Sequence, residues 1–149
     1  MPNPTELDKM TGLEQLDMAF KKGQKRAPIG DTLDFDLVSA EEGKVVFEGI
    51  PSADHLNPIG TVHGGYAATL LDSALGCSVH SVLQVGEKYT TIDLNVKYIR
   101  AMRPGMGKVI CTGHVIHKGR RMATAEARLV DEEGKLYAHG STTCMVMSD

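Results

Sequence analysis

The sequence predicts a single α+β domain in which a curved antiparallel β-sheet wraps around a long central helix, with a short helix before it. Between Ala67 and Val82, apolar residues recur at helical spacing over most of the circumference. A helix that is apolar nearly all round is normally covered by other structure. Runs with an apolar residue at every second position flank this segment, two before it and four after it, as is typical of strands. Such segregation of helix and strands along the chain favours an α+β class.

The first predicted element is an amphipathic helix over residues 11–22, which Gly23 would end. A β-hairpin is predicted from Thr32 onwards, because apolar and acidic residues alternate there and the same period returns beyond the turn at residues 41–43. The alternating apolar residues are Leu33, Phe35, Leu37, Val45 and Phe47.

A polar loop containing glycine and proline, residues 51–61, leads into the central helix. After Gly86, four strand-like runs follow one another with short turns between them, and this series predicts an antiparallel meander. The four runs cover residues 89–100, 108–117, 121–131 and 136–146. The 149 residues fit one domain, 1–149, without a repeat.

Composition and charge exclude several classes of protein. The net charge of -3 provides no global field for a nucleic-acid backbone, so no nucleic-acid partner is expected. No apolar stretch approaches the roughly 20 residues that span a bilayer, so no membrane association is expected. The three cysteines are an odd number without metal-ligand spacing, and the N-terminus lacks the apolar run of a signal peptide. These features predict free thiols and a cytoplasmic location.

An aspartate, Asp72, lies in the middle of the predicted central helix. Aspartate is disfavoured in helix interiors and in apolar surroundings, where a carboxylate needs partners or becomes protonated. Its neighbours at helical spacing are mostly small, which leaves room for a ligand. A purely structural role, as a hydrogen-bond partner of a neighbouring strand or of a second subunit, is equally compatible with the pattern.

The sequence His63-Gly64-Gly65 lies where this helix should begin. Glycine there lets a ligand approach backbone N–H groups whose dipoles favour a developing negative charge, which is what an oxyanion hole requires. The alternative is a simple glycine-rich turn, with His63 as a helix cap or packing residue.

Together these residues form a specific motif. Asn57, Gly60, His63-Gly64-Gly65, Leu70, Asp72, Ala74 and Gly76 resemble the PaaI-like branch of the hotdog-fold acyl-CoA thioesterases, and the strand and helix order resembles that family over nearly the whole chain. The resemblance implies a hotdog fold and hydrolysis of an acyl-CoA to the free acid and CoA. It implies no cofactor.

The resemblance also implies roles for individual residues. Asp72 would act on the thioester carbonyl as a nucleophile or as the general base for a water molecule, and Asn57 would position that water or the carboxylate. The Gly64 N–H would hold the carbonyl oxygen, with His63 in support. Thr91 would face the attacking water, although a shift of one residue would substitute Thr90, because adjacent strand residues face opposite sides.

The basic turn Lys118, Arg120 and Arg121 is suited to the phosphates of CoA, and Arg100 with Arg103 forms a second candidate. Solvated surface charge is the alternative for both. The remaining histidines show no metal-ligand constellation, so no metal is expected. The apolar residues available for an acyl pocket do not distinguish an aryl-acetyl from a medium-chain acyl group.

Two other functions remain open at this point. A hotdog hydratase or dehydratase would need a histidine beyond the aspartate, but Gly76 occupies the position four residues after Asp72. A non-catalytic acyl-CoA-binding protein would use the same pocket.

Gly64 and Asp72 should lie roughly 12 Å apart along one helix. We therefore expect a homodimer whose two subunits share each active site, with a tetramer of two such dimers as a further possibility.

Overall fold

One antiparallel sheet of six strands surrounds the long helix in the computed structural model, which describes residues 4–20 and 26–148. The helices are α1 (Pro4–Leu7), α2 (Gly12–Ala19), α3 (Pro28–Leu33) and α4 (Gly64–His80), and a 3-10 turn spans Ala53–His55. The strands are β1 (Phe35–Glu41), β2 (Lys44–Gly49), β3 (Glu87–Tyr98), β4 (Val109–Lys118), β5 (Met122–Asp131) and β6 (Leu136–Ser148). Within the described residues, no helix combines the length and apolar character needed to cross a membrane.

The order of strands across the sheet is β1-β2-β4-β5-β6-β3. The predicted four-strand meander is therefore wrong for β3, which pairs with β6 from Glu87↔Ser148 to Tyr98↔Ala138 and does not lie beside β4. The physical reason is that α4, which follows β2 and precedes β3 along the chain, crosses the concave face of the sheet. The chain leaving the helix reaches the opposite edge, and β4 then returns to pair with β2.

Small residues on the inner face of the sheet allow α4 to approach closely. Three alanines of β5, Ala123, Ala125 and Ala127, are at most 3% exposed. A Cβ atom at Gly113 of β4 would collide with the backbone carbonyl of Ala74 in α4. The helix backbone therefore packs almost directly on the strand backbone at this point.

The sheet covers only part of the helix, contrary to the expectation of a fully wrapped helix. Buried residues such as Leu70, Leu71 and Leu75 face the core, whereas Asp72 is exposed in the single chain. The half-buried residues beside it are mostly small, namely Gly65, Ala68, Thr69 and Ser73. We call the surface formed by Asp72 and these four residues the open face of α4.

The N-terminal segment confirms one predicted helix and corrects the start of the hairpin. Thr11 caps α2 through a capping box with Glu14. Residues 21 and 22 of the predicted helix, and Gly23 that was predicted to end it, lie outside the described residues. Thr32 and Leu33 belong to α3, not to the first strand. The strand begins only after Asp34, whose φ of 52° turns the chain out of the helix.

The long edge strand β3 contains a β-bulge. Thr91 pairs with Cys144 and Asp93 with Thr143, so Ile92 is an extra residue in the ladder. Such a bulge shifts the alternation of side chains by one position.

Candidate active site

A cavity of about 240 Å³ lies between α4, β3 and the N-terminal segment, and Asp72 lines it. We call it the aspartate cavity. Its walls come from six parts of the chain and are lined by Phe20, Arg26, Ala27, Ile29, Gly30, Phe35, Asp36, Leu37, Phe47, Asp72, Ser73, Gly76, Cys77, Tyr89 and Thr91.

The carboxyl group of Asp72 stands at the border between this cavity and the open face of α4. Partial burial raises the pKa of Asp72, because removing a carboxylate from water disfavours its charged form. Arg26, also in the cavity wall, forms ion pairs with Asp31 at 2.8 Å and Asp34 at 3.2 Å. The aspartate cavity thus contains a carboxylate that is more basic than a solvated one.

Of the two candidate threonines, Thr91 lies in the aspartate cavity, and Thr90 is not among its lining residues. Thr91 and Tyr89 are two residues apart on β3 and therefore face the same side of the strand. Thr91 pairs with Cys144 on β6. The structure therefore brings Asp72 and Thr91 together.

His63 and Gly64 line a different cavity, of about 300 Å³, at the other end of α4. We call it the glycine cavity. Its walls include Tyr98, Arg100 and Tyr137. Asp72 is not one of its lining residues, so a single chain places the two predicted halves of the site in separate cavities.

His63 is the N-cap of α4. Its Nδ1 atom accepts a hydrogen bond of 2.7 Å from the backbone N–H of Gly65. Since Nδ1 accepts, the ring proton resides on Nε2, which is left as a donor on an exposed side chain. A Cβ atom at Gly65 would lie 2.9 Å from Nδ1, so this cap requires glycine at position 65.

Gly64 lies under the ring of Tyr98. The Tyr98 hydroxyl donates a hydrogen bond of 2.9 Å to the Gly64 carbonyl, and a Cβ atom at Gly64 would lie 3.1 Å from that hydroxyl. The Gly64 N–H is the first of the helix and has no intrahelical partner. Glycine at this position therefore serves both the tyrosine contact and access to the N–H group.

Asn57 reaches neither cavity. Its side-chain oxygen accepts hydrogen bonds from the N–H groups of Ile59 and Thr61, both at 3.1 Å, and its side-chain nitrogen donates to the Thr61 hydroxyl at 2.8 Å. These bonds close the loop that precedes His63. The role that the structure gives Asn57 is to shape this loop, whereas contact with a water molecule at Asp72 stays a prediction.

The basic candidates differ in their surroundings. Lys118 is ion-paired with Glu87 at 2.8 Å, and the guanidinium of Arg100 stacks on Tyr137 at 5.8 Å. Arg120 and Arg121 are exposed, and no ion-pair partner for them lies within residues 4–20 and 26–148. The Glu87 contact already neutralises Lys118, so the two arginines are the better candidates for an anion.

The sequence reasoning missed two tyrosines, Tyr89 and Tyr98, and the cavity wall formed by the N-terminal segment. Tyr98 is 34 residues from Gly64, and only the pairing of β3 with β6 brings the two together. No local pattern signals such a contact. Within the part of the chain that the structure describes, no cluster of three or more His, Cys, Asp or Glu residues could hold a metal ion.

Comparison with known proteins places this geometry among thioesterases. Residues 59–138 match the family model of the thioesterase superfamily. Human acyl-coenzyme A thioesterase 13 is 38% identical over 112 residues, covering 72% of this chain and 76% of that protein.

Solved structures of similar proteins have the same fold as this chain. A phenylacetic acid degradation-related protein from Ralstonia eutropha is 25% identical, with a TM-score of 0.74 over 87% of this chain and 96% of that one. A hypothetical thioesterase protein from Streptococcus pneumoniae, solved with coenzyme A, has the same fold, with a TM-score of 0.71 at 23% identity over 80% and 91% of the two chains. The hotdog fold predicted from the sequence is thereby confirmed.

Two variants of His63 separate the capping role from a catalytic one. His63→Ala removes the cap and should lower the free energy of unfolding by about 1 kcal/mol, whereas His63→Asn keeps a capping side chain and should stay within a few tenths of wild type. If the Nε2–H group donates to a substrate, both variants should lose about 10-fold in kcat/KM. Denaturation curves and thiol-release kinetics measure the two effects. Full activity in His63→Asn would show that His63 is only a cap.

Proposed function

The chain belongs to the thioesterase superfamily, and from that membership we propose that it hydrolyses an acyl-CoA, of aryl-acetyl or medium-chain type, to the free acid and CoA. The observation that carries the mechanism is the carboxylate of Asp72 in a partly apolar cavity. The odd number of cysteines supports the cytoplasm as the compartment.

Asp72 supplies the basic or nucleophilic group in this proposal. As a nucleophile, its carboxylate oxygen attacks the thioester carbonyl and expels the CoA thiolate, and water then cleaves the resulting anhydride. As a general base, it removes a proton from a water molecule that attacks the same carbonyl. Thr91, in the same cavity, would hold that water. Both routes require an ionised Asp72.

Negative charge develops on the carbonyl oxygen in both routes. The Gly64 N–H, at the first position of α4, would donate a hydrogen bond to this oxygen, and the helix dipole has the right sign to stabilise it. The Nε2–H group of His63 would assist. Asn57 would act as a positioning residue through the loop that presents His63.

The two halves of this site would come from different subunits. Gly64 and Asp72 line separate cavities of one chain, about 12 Å apart along the helix. An antiparallel α4 from a second subunit would bring one chain's Asp72 to the other's Gly64. The open face of α4 is lined by small residues that permit such close packing of two helices.

The edge of β3 supports the same two-fold contact. Among the described residues β3 pairs only with β6, and it exposes the apolar side chains Ile92, Leu94 and Tyr98. A long unpaired strand edge is a ready surface for pairing with another chain. We therefore take a homodimer through β3 and α4 as the functional unit, and a homotetramer would be two of these dimers.

Replacing Asp72 by asparagine should lower kcat/KM by at least about 100-fold, because the amide can act neither as base nor as nucleophile. In the wild type, kcat/KM should fall as pH drops through the pKa of Asp72, and burial places this acid limb above the ordinary range of aspartate. The matched control is Asp17→Asn, an exposed aspartate of α2. A folded Asp72→Asn protein that keeps the wild-type rate and acid limb would exclude this role.

Subunit complementation tests the shared site. Gly64→Val should place a side chain against Tyr98 and block the N–H group, and Asp72→Ala removes the carboxylate. Unfolded and refolded together in equal amounts, the two variants should form about half heterodimers with one intact site in two, hence about a quarter of wild-type activity. Native mass spectrometry counts the heterodimers. Heterodimers as inactive as the parent proteins would place Gly64 and Asp72 in one chain's site.

The phosphates of CoA are assigned to Arg120 and Arg121. Each replacement by alanine should weaken binding of free CoA several-fold at low salt and less at high salt, because exposed charges are screened. Arg128→Ala, an exposed arginine on β5, is the control. Calorimetric titration at two ionic strengths measures the effect, and unchanged affinity in both arginine variants would remove this turn from the CoA site.

A further inference from the structure

The basic turn between β4 and β5 is tied to the rest of the sheet on both of its sides. On one side, the Val146 N–H of β6 donates a hydrogen bond of 2.8 Å to the carbonyl of Arg121. On the other side, the ammonium group of Lys118 contacts both carboxylate oxygens of Glu87 in β3, at 2.8 and 2.9 Å. The turn that carries the two arginine candidates for the CoA phosphates is therefore held from two other strands.

A β-bulge in β4 explains why Lys118 points inward. The pairing of β4 with β5 shifts register between Val115 and His117, so Ile116 is an extra residue in the ladder. Beyond this bulge Lys118 pairs with Ala123, whose side chain is fully buried on the inner face of the sheet. Directly paired residues face the same side of a sheet, so Lys118 lies on the inner face as well. A lysine in that position needs a partner for its charge.

Glu87 supplies that partner from the edge strand β3. It precedes Tyr89 and Thr91 at two-residue intervals, and both of these residues line the aspartate cavity, so all three side chains lie on the inner side of β3. Only 14% of the Glu87 side chain and 23% of the Lys118 side chain are exposed. Partly buried charges are screened by salt much less than exposed ones, so this contact holds the two strands together at physiological ionic strength.

The Glu87 carboxylate is ionised at neutral pH. Burial raises the pKa of Glu87, but hydrogen bonds from Lys118 and from the backbone N–H of Gln84 lower it more, so that its net shift is downward. The Gln84 N–H donates at 2.7 Å and belongs to the loop that follows α4. The charge of Lys118 is thus compensated within the protein, and the lysine anchors the turn to β3 and to this loop.

Anchoring matters because the turn itself contains a flexible position. Gly119 has no side chain to restrict it, and its N–H donates a hydrogen bond of 2.7 Å to the carbonyl of Met122, which closes the turn. This bond shapes the turn but does not orient it relative to the other strands. Arginine side chains on an unoriented turn lose more conformational freedom when they bind a phosphate, which lowers affinity.

We propose that Glu87 is a positioning residue for CoA: by holding Lys118 on the inner face of the sheet, it orients the turn that presents the arginines to the phosphates. This inference rests on the proposed thioesterase function and on the assignment of the phosphates to this turn. It gives the anion site a dependence on a carboxylate. By charge alone a carboxylate opposes the binding of an anion nearby, so its removal distinguishes positioning from simple electrostatics.

Glu87→Gln tests this dependence by the sign of its effect on the binding of free CoA. Removal of a negative charge should strengthen binding by electrostatics alone, whereas loss of the anchor should weaken it about 5-fold, the scale of one net hydrogen bond. Calorimetric titration measures the affinity. The matched control is Glu48→Gln, which breaks the more exposed ion pair with Lys108, at 3.2 Å near the other end of β4. This control should not weaken the binding of CoA.

Kinetics with two thioesters separate positioning from general damage. Acyl-CoA carries the phosphates, and the acyl thioester of pantetheine lacks them. In Glu87→Gln, KM for acyl-CoA should rise about 5-fold with kcat unchanged, because phosphate contacts are lost equally in the ground state and the transition state. The value of kcat/KM for acyl-pantetheine should equal that of wild type. Glu87→Asp keeps the charge but is too short for both contacts, so it should also bind CoA more weakly.

The outcomes separate the two proposals. Unchanged or tighter binding of CoA by Glu87→Gln, or an equal kinetic loss with both thioesters, would overturn the positioning role and leave the thioesterase function standing. If Glu87→Gln does not fold, unchanged CoA affinity in folded Glu87→Asp would overturn the role. Glu87-dependent binding of CoA by a protein that cleaves neither thioester would support positioning and refute the proposed function. Absence of CoA binding by the wild type would overturn the assignment of the turn together with the role of Glu87.

Discussion

The fold depends on how closely α4 can approach the concave face of the sheet. Gly113 removes the one Cβ atom that would meet the Ala74 carbonyl, and the alanines of β5 keep the inner face shallow around it. Bulky side chains there would hold the helix away and leave voids, because protein interiors are close-packed. The close contact fixes α4 with one face against the sheet and the other, which includes Asp72, open. The position of the catalytic candidate is thus a consequence of packing on the opposite side of the helix.

Sequence periodicity predicted the elements better than their arrangement. The apolar spacing of α4 is strong because almost every turn of the helix contacts the core, and the strand runs were located to within a few residues. Helix α3 was missed because Leu33, Phe35 and Leu37 alternate as in a strand although Asp34 ends a helix between them. The place of β3 was wrong because the order of strands along a chain does not determine their pairing, which here depends on where the helix delivers the chain.

In the candidate site, too, local features were predicted from the sequence and the three-dimensional arrangement was not. His63, Gly64 and Asp72 stand out in the sequence because local chemistry singles them out: a helix start with two glycines, and a carboxylate inside an apolar helix. The function of Asn57 in its loop was not visible, since its hydrogen bonds are made to its own neighbours. The aromatic walls were invisible for the opposite reason, because Phe20, Phe35, Phe47 and Tyr89 belong to four segments that only the tertiary fold assembles. The sequence thus predicted the polar residues of the candidate site, but it did not predict the aromatic walls of the cavity beside Asp72.

The bulge at Ile92 has a consequence for both ends of the helix. Tyr89 and Tyr98 are nine positions apart, an odd number, so a regular strand would turn them to opposite faces of the sheet. Because Ile92 is an extra residue, the alternation of side chains shifts by one position beyond it. Both tyrosines therefore face α4, Tyr89 at Gly76 and Tyr98 at Gly64. Loss of this single residue from the chain would leave either hydroxyl, but not both, on the helix side. One inserted residue thus sets the walls of both cavities at once, because Tyr89 lines one and Tyr98 lines the other.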